Sequence, residues 1–273
     1  MSGSGTTAGD DPLQTAVWRL RSRGCWTDAA ALLAPRAAEP AAALERVGLF
    51  VERCMFTGEG WADAEDALRA AEAAARDDEE RGGAACERGR LAYAATTLGV
   101  RDRADEARTA LGRAAALLSP TSPQRPLLDF RRGLVAEQIA DSPQAARAAY
   151  QRAHEGARAQ GDVLLLSFTH YHQARLALRE GELLQAQQGF AEALRIRVDL
   201  GYLIGVAPAL AALSDCEPQQ EAARLLSEAR RLFRLLGGVP VWLADRLAPT
   251  LPHQADDEGR TDQAATAPSK PAA

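Results

Sequence analysis

Lysine is almost absent from this sequence of 273 residues: Lys270 is the only lysine among 32 Lys and Arg residues. A Walker A loop, a protein kinase and a pyridoxal-phosphate enzyme each depend on a lysine that contacts phosphate or forms a Schiff base. Lys270 lies in a polar, proline-bearing stretch near the C-terminus. The composition therefore disfavours all three classes of enzyme.

Aromatic residues are also scarce, at 5% of the chain, although hydrophobic residues make up 47%. Alanine and leucine supply most of the apolar side chains, and both are strong helix formers. Alternating runs rich in Val, Ile, Thr and Tyr, which are typical of strands, are missing. We therefore predict an all-α fold.

Long apolar runs and paired cysteines are missing as well. The longest apolar run lies between Asp199 and Asp215, contains a proline, and is too short to span a bilayer. Four scattered cysteines without a C-x-x-C pair suit a reducing cytoplasm better than disulfides or structural zinc. A net charge of −5 weighs against nucleic acid as the main partner. We expect a cytoplasmic protein without a secretory signal, membrane contact or nucleic-acid partner.

An internal repeat is the strongest pattern in the chain. Six segments share an alanine, a large residue four positions later and usually a second alanine three positions beyond it. Their first alanines are 35 to 43 residues apart. The copies are Ala29/Leu33, Ala64/Leu68/Ala71, Ala107/Leu111/Ala114, Ala146/Tyr150/Ala153, Ala186/Phe190/Ala193 and Ala222/Leu226/Ala229.

This spacing places the three side chains on one helical face, where alanine permits close approach of a second helix. Another apolar helical segment precedes each copy, as in LERVGLFVERCMF and FTHYHQARLAL, and a short turn joins the two. The sequence therefore predicts about six antiparallel helix pairs.

The pattern resembles the tetratricopeptide repeat (TPR), whose unit has 34 residues and an A-x3-F signature in its second helix. Ala186, Phe190 and Ala193 match that helix, with Gly181 and Glu182 at the preceding turn. The resemblance covers roughly residues 11–236. The chain is also similar to the TPR-like sensor regions of actinobacterial transcription regulators, whose closing repeat resembles EAARLLSEARRLFRLLGG. It implies a right-handed α-α superhelix with a concave binding groove.

The boundaries follow from composition. Residues 1–10 and 250–273 are small and polar, so we predict that both are disordered around a repeat domain of residues 11–249. The proline-rich segment 119–126 is interpreted either as a hinge or, preferably, as an ordinary connection. Pro208 should kink its helix or delay its start. The segment VPVWLADRLA is predicted to close the last pair, with Trp242 and Leu243 as a cover or an oligomer contact.

The sequence contains no complete form of the catalytic or metal-binding motifs considered. His154-Glu155 lacks the second histidine of H-E-x-x-H, and G-x-S-x-G is absent. His170 and His172 are two residues apart, hence about 200° apart around a helix, and cannot chelate one metal ion. We predict no catalytic site, metal or cofactor, although an unusual enzyme site between helices remains a third interpretation.

Arginines and aromatic residues recur at the first-helix positions that line the groove in TPR proteins. Guanidinium groups bind carboxylates bidentately, and Trp, Tyr and Arg are enriched at interface hot spots. The competing interpretation is that so many arginines fall on every exposed face. The predicted groove residues are Trp18, Arg21, Arg53, Arg131, Tyr171, Arg175 and Arg179.

Two functions remain open at this point. The first is a non-enzymatic scaffold whose arginine-containing groove binds a protein or peptide, with an acidic segment or a C-terminal carboxylate as the expected ligand. The alternative is a detached sensor or regulatory domain that responds to a small ligand or signalling peptide in transcriptional regulation. The sequence carries no signal for an oligomeric state.

Overall fold

Helices dominate the computed structural model, which describes residues 11–247; the predicted disordered ends lie outside the described residues. No strand occurs within this range, so the all-α prediction is confirmed for it. The thirteen α-helices are α1 (Pro12–Arg21), α2 (Trp26–Leu32), α3 (Pro40–Thr57), α4 (Trp61–Ala74), α5 (Asp78–Thr97), α6 (Ala104–Leu117), α7 (Arg125–Gln138), α8 (Pro143–Gln160), α9 (Val163–Arg179), α10 (Leu183–Asp199), α11 (Leu203–Leu213), α12 (Gln219–Leu236) and α13 (Ala244–Leu247).

Consecutive helices pack as pairs, α1 with α2 through α11 with α12, and we number them pair 1 to pair 6. The second helix of each pair also packs against the first helix of the next. Local sequence sets several ends. Gly58, Gly161 and Gly237 follow α3, α8 and α12 with positive φ angles of 74°, 70° and 84°, a conformation that favours glycine.

The repeat pattern marks the core of most pairs. The first alanines of pairs 1 to 5 are each 0% exposed, and the large residues beside them are buried. In pair 6, by contrast, Ala222 and Leu226 are only partly buried, whereas Leu225 and Phe233 are buried. Because no further pair follows α12 within residues 11–247, its buried face turns towards α11 and the closing segment.

Helix α5 is buried more completely than α4 and α6, and three glycines allow this. A Cβ on Gly82, Gly83 or Gly89 would lie 2.6, 2.5 or 2.7 Å from the nearest side chain, on Leu118, Gln124 and Leu111 respectively. Neighbouring segments therefore approach the α5 backbone more closely than a side chain would permit.

Side-chain hydrogen bonds attach the connection between α6 and α7 to α5 and to the end of α6. The buried Ser122 hydroxyl donates to Glu79, and the Arg125 guanidinium donates to the carbonyls of Ala115 and Leu118 at 3.0 and 3.1 Å. One apolar cluster continues from α5 and α6 into α7, α8 and α9. A hinge at 119–126 stays a prediction.

Helix α11 is the most apolar element, and all of its residues except Leu203 are buried. It begins at Leu203 and continues through Pro208, so the proline does not delay its start. No helix within residues 11–247 is long and apolar enough to cross a membrane.

The first and last of the six pairs contact each other. The Ile204 backbone N–H donates to the Ser22 carbonyl at 2.9 Å, and the Trp18 ring stacks on the Tyr202 ring with 5.7 Å between centroids. Pair 1 thereby contacts the beginning of pair 6. Further along, Phe56 of α3 packs 6.1 Å from Phe233 of α12.

The closing segment is a 3-10 turn at Val241–Leu243 followed by α13, where the sequence predicts a short closing helix. Leu243 is 5% exposed and covers the core of pair 6, whereas Trp242 remains 49% exposed. Arg246 donates to Asp215 at 2.6 Å, which fastens α13 to the end of α11.

Candidate functional site

A ladder of alternating charges crosses the first helices of pairs 1 to 4, and we call it the charge ladder. Arg21 Nε on α1 donates to both carboxylate oxygens of Glu52 on α3 at 3.1 and 3.0 Å. Arg90 on α5 lies 3.6 Å from Glu52 and 3.6 Å from Glu87. Arg131 on α7 pairs with Glu87 and donates to the sulfur of Cys86. Every link of the ladder joins neighbouring pairs except the one between Arg90 and Glu87, which lies within α5.

The Arg131–Glu87 end of the charge ladder is buried and stabilises the fold. Arg131 and Glu87 are 5% and 6% exposed. Burial favours loss of the Arg131 charge, but Cys86 and Glu87 outweigh it, so the pKa of Arg131 is raised. A desolvated pair of this kind costs more when one partner is lost than the pair itself contributes. Arg131 therefore fixes α7 on α5 and offers almost no surface to a partner.

Two other predicted groove residues, Arg53 and Trp18, also make contacts inside the protein. Arg53 pairs with Asp63 at 2.9 Å and lies over Gly60 within pair 2. Trp18 is half-buried against Tyr202, and the Arg21 guanidinium lies 5.9 Å from the Trp18 ring centroid.

A second cluster surrounds the carboxylate of Glu137, at the C-terminal end of α7; we call it the carboxylate cluster. The hydroxyl of Tyr150 on α8 donates to Glu137 Oε2 at 2.6 Å, and Nδ1 of His172 on α9 lies 3.1 Å from the same oxygen. Arg175 Nη2, one turn further along α9, lies 3.2 Å from Oε1. The Glu137 side chain is fully buried, and its Oε1 accepts no hydrogen bond.

These contacts set the protonation states. Burial by itself would raise the pKa of Glu137, but the hydrogen bond from His172, the nearby positive charge and the Tyr150 hydroxyl lower it to about 2. Burial lowers the pKa of His172, and the hydrogen bond to Glu137 offsets this only in part. At neutral pH, a neutral His172 therefore donates through Nδ1–H to an ionised Glu137.

The exposed end of this region carries two arginines, Arg175 and Arg179, which we call the α9 arginines. Their side chains are 37% and 47% exposed. Arg179 pairs with Asp141 at 3.0 Å, and the Asp141 side chain is 82% exposed. Because this is a solvated surface pair, exchanging Asp141 for another carboxylate costs little free energy.

Tyr171, between the two histidines, faces the protein interior. Its ring lies 5.4 Å from that of Phe190 and 5.0 Å from the guanidinium of Arg197, and burial raises the pKa of its hydroxyl. Arg197 is 3% exposed, stacks on Phe168 at 5.1 Å and donates to the carbonyl of Gly205 at 2.9 Å.

The two histidines of α9 point in different directions, as the sequence predicts. The His170 ring packs 4.9 Å from His154 on α8, whereas His172 contacts Glu137 on α7. Within residues 11–247, no group of three or more His, Cys, Asp and Glu side chains is arranged to hold a metal ion. Two depressions, of about 680 and 830 Å³, are open to solvent around the α5–α6 turn.

The structure thus brings the predicted groove residues together only in part. Tyr171, Arg175 and Arg179 share α9, and Trp18 and Arg21 share α1, whereas Arg53 and Arg131 belong to separate ion pairs. Sequence reasoning missed the carboxylates that pair with these arginines and the buried Arg197. These carboxylates lie on other helices, 31 positions away for Arg21 and 44 for Arg131, so no local spacing pointed to them. The missed residues are Glu52, Glu87, Glu137, Arg197 and Tyr202.

Comparisons with known proteins identify a fold and no family. No protein-family model matches the chain, and no curated protein matches it. Among solved structures, the chain is similar to BtubC (BKLC) from P. vanneervenii, with a TM-score of 0.52 and 16% sequence identity. The match covers 95% of this chain and 100% of BtubC. At this identity the likeness describes the all-helical architecture alone.

Proposed function

We propose that this protein is a non-enzymatic binding module of the TPR type, a right-handed superhelix that recognises a segment of another protein. The neighbouring packing of its helix pairs and the repeated alanine positions support the repeat assignment. The observation that carries the binding proposal is the pair of half-exposed α9 arginines, one helical turn apart.

The ligand that suits the α9 arginines is an acidic side chain or a C-terminal carboxylate. Arg179 can exchange Asp141 for a ligand carboxylate, while Arg175 remains oriented by Glu137 beneath it. Arginine presents paired N–H donors that match a carboxylate, and such charge-assisted bonds are stronger than neutral ones. Arg21 and Arg131 serve the same module by holding its pairs in register.

The test uses Arg179→Glu, because reversal at Arg175 would place a second acid beside the buried Glu137. Affinity purification from the native organism, with quantitative mass spectrometry, compares wild type and variant. A partner held through Arg179 should be recovered at least about tenfold less, the loss expected for one charge-assisted contact.

A matched control is Arg224→Glu, since Arg224 is exposed and pairs with Glu221 on its own helix α12. Both variants should keep the wild-type circular dichroism spectrum and melting temperature within a few degrees. Equal recovery of the same partners by wild type and Arg179→Glu would contradict the α9 site.

The alternative is a sensor domain for a small ligand, and it makes a different prediction. A ligand that binds only the folded state raises the melting temperature in proportion to its occupancy. A thermal-shift screen of small metabolites and peptides therefore separates the two functions. A small metabolite that stabilises Arg179→Glu as strongly as wild type would favour the sensor.

A further inference from the structure

An apolar surface in the second half of the chain receives pair 1. It consists of Leu164 and Phe168 from α9 and of Leu200, Tyr202 and Ile204 around the α10–α11 turn, and we call it the socket. These residues share one apolar cluster with pair 1 and α3. The socket therefore lies far from pair 1 in sequence but against it in space.

We call residues 12–32, the two helices of pair 1 and their turn, the plug. The plug contacts the socket at a few positions. Trp18 stacks on Tyr202 with an interplanar angle of 22°, and Ile204 donates its backbone N–H to Ser22 at 2.9 Å. At the tip of the plug, a Cβ on Gly24 would lie only 2.8 Å from Ile204 Cδ1.

The plug is attached to the rest of the chain on its other side. Helix α2 packs along α3, and Arg21 and Trp26 both donate to Glu52 of α3. In contrast, α1 and α11 do not pack along each other, and their contact is confined to the ends described above. The plug therefore has two separate attachments, an extensive one to α3 and a smaller one to α11.

The socket is supported independently of the plug. Arg197 donates to the carbonyl of Gly205 at 2.9 Å and to the hydroxyl of Ser167 at 3.3 Å, and its guanidinium stacks on Phe168. Phe168 in turn packs edge-on against Tyr202 with 6.1 Å between centroids. All of these groups belong to the second half of the chain, so these supporting contacts of the aromatic surface do not involve the plug.

We propose that the socket is a docking site for a tryptophan-bearing amphipathic helix, and that the plug is its resident occupant. A segment of another protein with the chemistry of the plug, a helix that bears an indole for the Tyr202 ring and a small residue against Ile204 in the turn that follows, displaces it. Helix-in-groove recognition of this kind reads apolar anchors at helical spacing. The site is separate from the α9 arginines and does not depend on the function proposed for them.

The probe is a fluorescent synthetic peptide with the sequence of residues 11–33, added to the full-length chain. Gly24→Ala, which we call the wedge, places a Cβ 2.8 Å from Ile204 Cδ1 and 3.3 Å from the Trp26 ring, so a side chain at this contact must shift. Gly99→Ala is the matched control, since Gly99 also has positive φ, +67° against +81°, but nothing lies within 4 Å of its added Cβ. The control carries the backbone strain without the clash.

The wedge raises the fraction of molecules with an empty socket, and apparent affinity rises with that fraction. Fluorescence anisotropy should therefore show the peptide binding Gly24→Ala about tenfold more tightly than Gly99→Ala. Adding Tyr202→Ala to the wedge variant should cancel the gain, because it removes the stacking partner of the indole. Small-angle scattering should show a larger radius of gyration for Gly24→Ala than for Gly99→Ala.

Equal peptide affinity for Gly24→Ala and Gly99→Ala, with equal radii of gyration and intact circular dichroism, would overturn the proposal. If Gly24→Ala fails to fold, Trp18→Ala replaces it, and the same peptide must bind this variant more tightly than wild type. A concentration-dependent dimer of the wedge variant, detected by sedimentation, would overturn the assignment of the plug to its own socket in favour of exchange between two copies.

Discussion

Glu87 and Glu137 are two buried carboxylates on first helices of the repeat, and their surroundings differ. Glu87 is compensated by Arg131, whose side chain is only 6% exposed, and more distantly by Arg90. Glu137 is held by a tyrosine hydroxyl and a neutral histidine, and its nearest cation, Arg175, is 37% exposed. Each carboxylate leaves one oxygen without a hydrogen bond.

The difference teaches that the same ionic chemistry serves two purposes here. Around Glu87 both charges are desolvated, so the pair specifies how α7 sits on α5 and tolerates the loss of neither partner. Around Glu137 the hydrogen bonds from His172 and Tyr150 act together with the Arg175 charge to keep the carboxylate ionised, and the Arg175 side chain extends to the surface. Arg175 is half-exposed and is held in place by Glu137, so its guanidinium group is available to a ligand, whereas that of Arg131 is not.

The largest effect is expected from Glu87→Ala, which leaves the buried Arg131 charge without its partner. The free energy of unfolding should fall by about 3–5 kcal/mol, measured by urea denaturation. Adding Arg131→Met should recover most of the loss, because an apolar side chain tolerates that environment.

Glu72→Ala is the control for this comparison, since Glu72 pairs with Arg88 and both side chains are 32% exposed. It should cost less than about 1 kcal/mol. A cost for Glu72→Ala as large as that for Glu87→Ala would show that burial does not distinguish the two pairs.

A second effect depends on pH. The pKa of Glu137 is about 2 in the folded protein against 4.5 ordinarily, so the unfolded chain binds the proton first as pH falls. Stability contributed by Glu137 is therefore complete above about pH 5 and is lost as pH falls towards 2, by up to about 3 kcal/mol. The lowered pKa of His172 acts in the same direction from about pH 6.5 downward.

Urea denaturation between pH 6 and pH 3 tests this, with Glu137→Gln as the comparison. The variant is less stable at pH 6, but its stability should decrease less steeply below pH 5 than that of wild type. Parallel pH profiles for the two proteins would contradict an ionised Glu137 in the folded state.

The smallest effect is expected from Arg175→Ala. Glu137 keeps the hydrogen bonds from Tyr150 and His172, and water enters where the half-exposed guanidinium was. The cost should be about 1 kcal/mol, against about 3 kcal/mol or more for Arg131→Ala, which leaves Glu87 buried and unpaired. Equal melting temperatures for the two variants would remove the distinction between the clusters.

The sequence was sufficient to predict the helical pairs, because alanine and large residues at i, i+4 and i+7 are a local signal. Ala146, Tyr150 and Ala153 are 0% exposed as that pattern requires. The pattern was weakest at Ala222 on α12, because no further pair follows within residues 11–247 to bury that face.

The candidate site was less predictable, for two physical reasons. Arg131 is buried and Arg179 is exposed because the neighbouring pairs cover different faces of α7 and α9. The residue type is arginine in both cases, so it does not predict which of the two is buried. Contacts between Trp18 and Tyr202, or between Ser22 and Ile204, join residues about 180 positions apart. No periodicity along the chain encodes such a contact, because it depends on the accumulated curvature of every pair between them.

The glycines of α5 have a consequence for the order of folding. Gly82, Gly83 and Gly89 each lower intrinsic helix stability by about 1 kcal/mol relative to alanine, so α5 is a poor helix on its own. Helices such as α8 and α10, with one glycine each, do not carry this penalty three times. We expect α5 to become helical late, once Leu111, Leu118 and their neighbours are present to surround it. A helix that is largely buried in the folded protein would then be among the last to form.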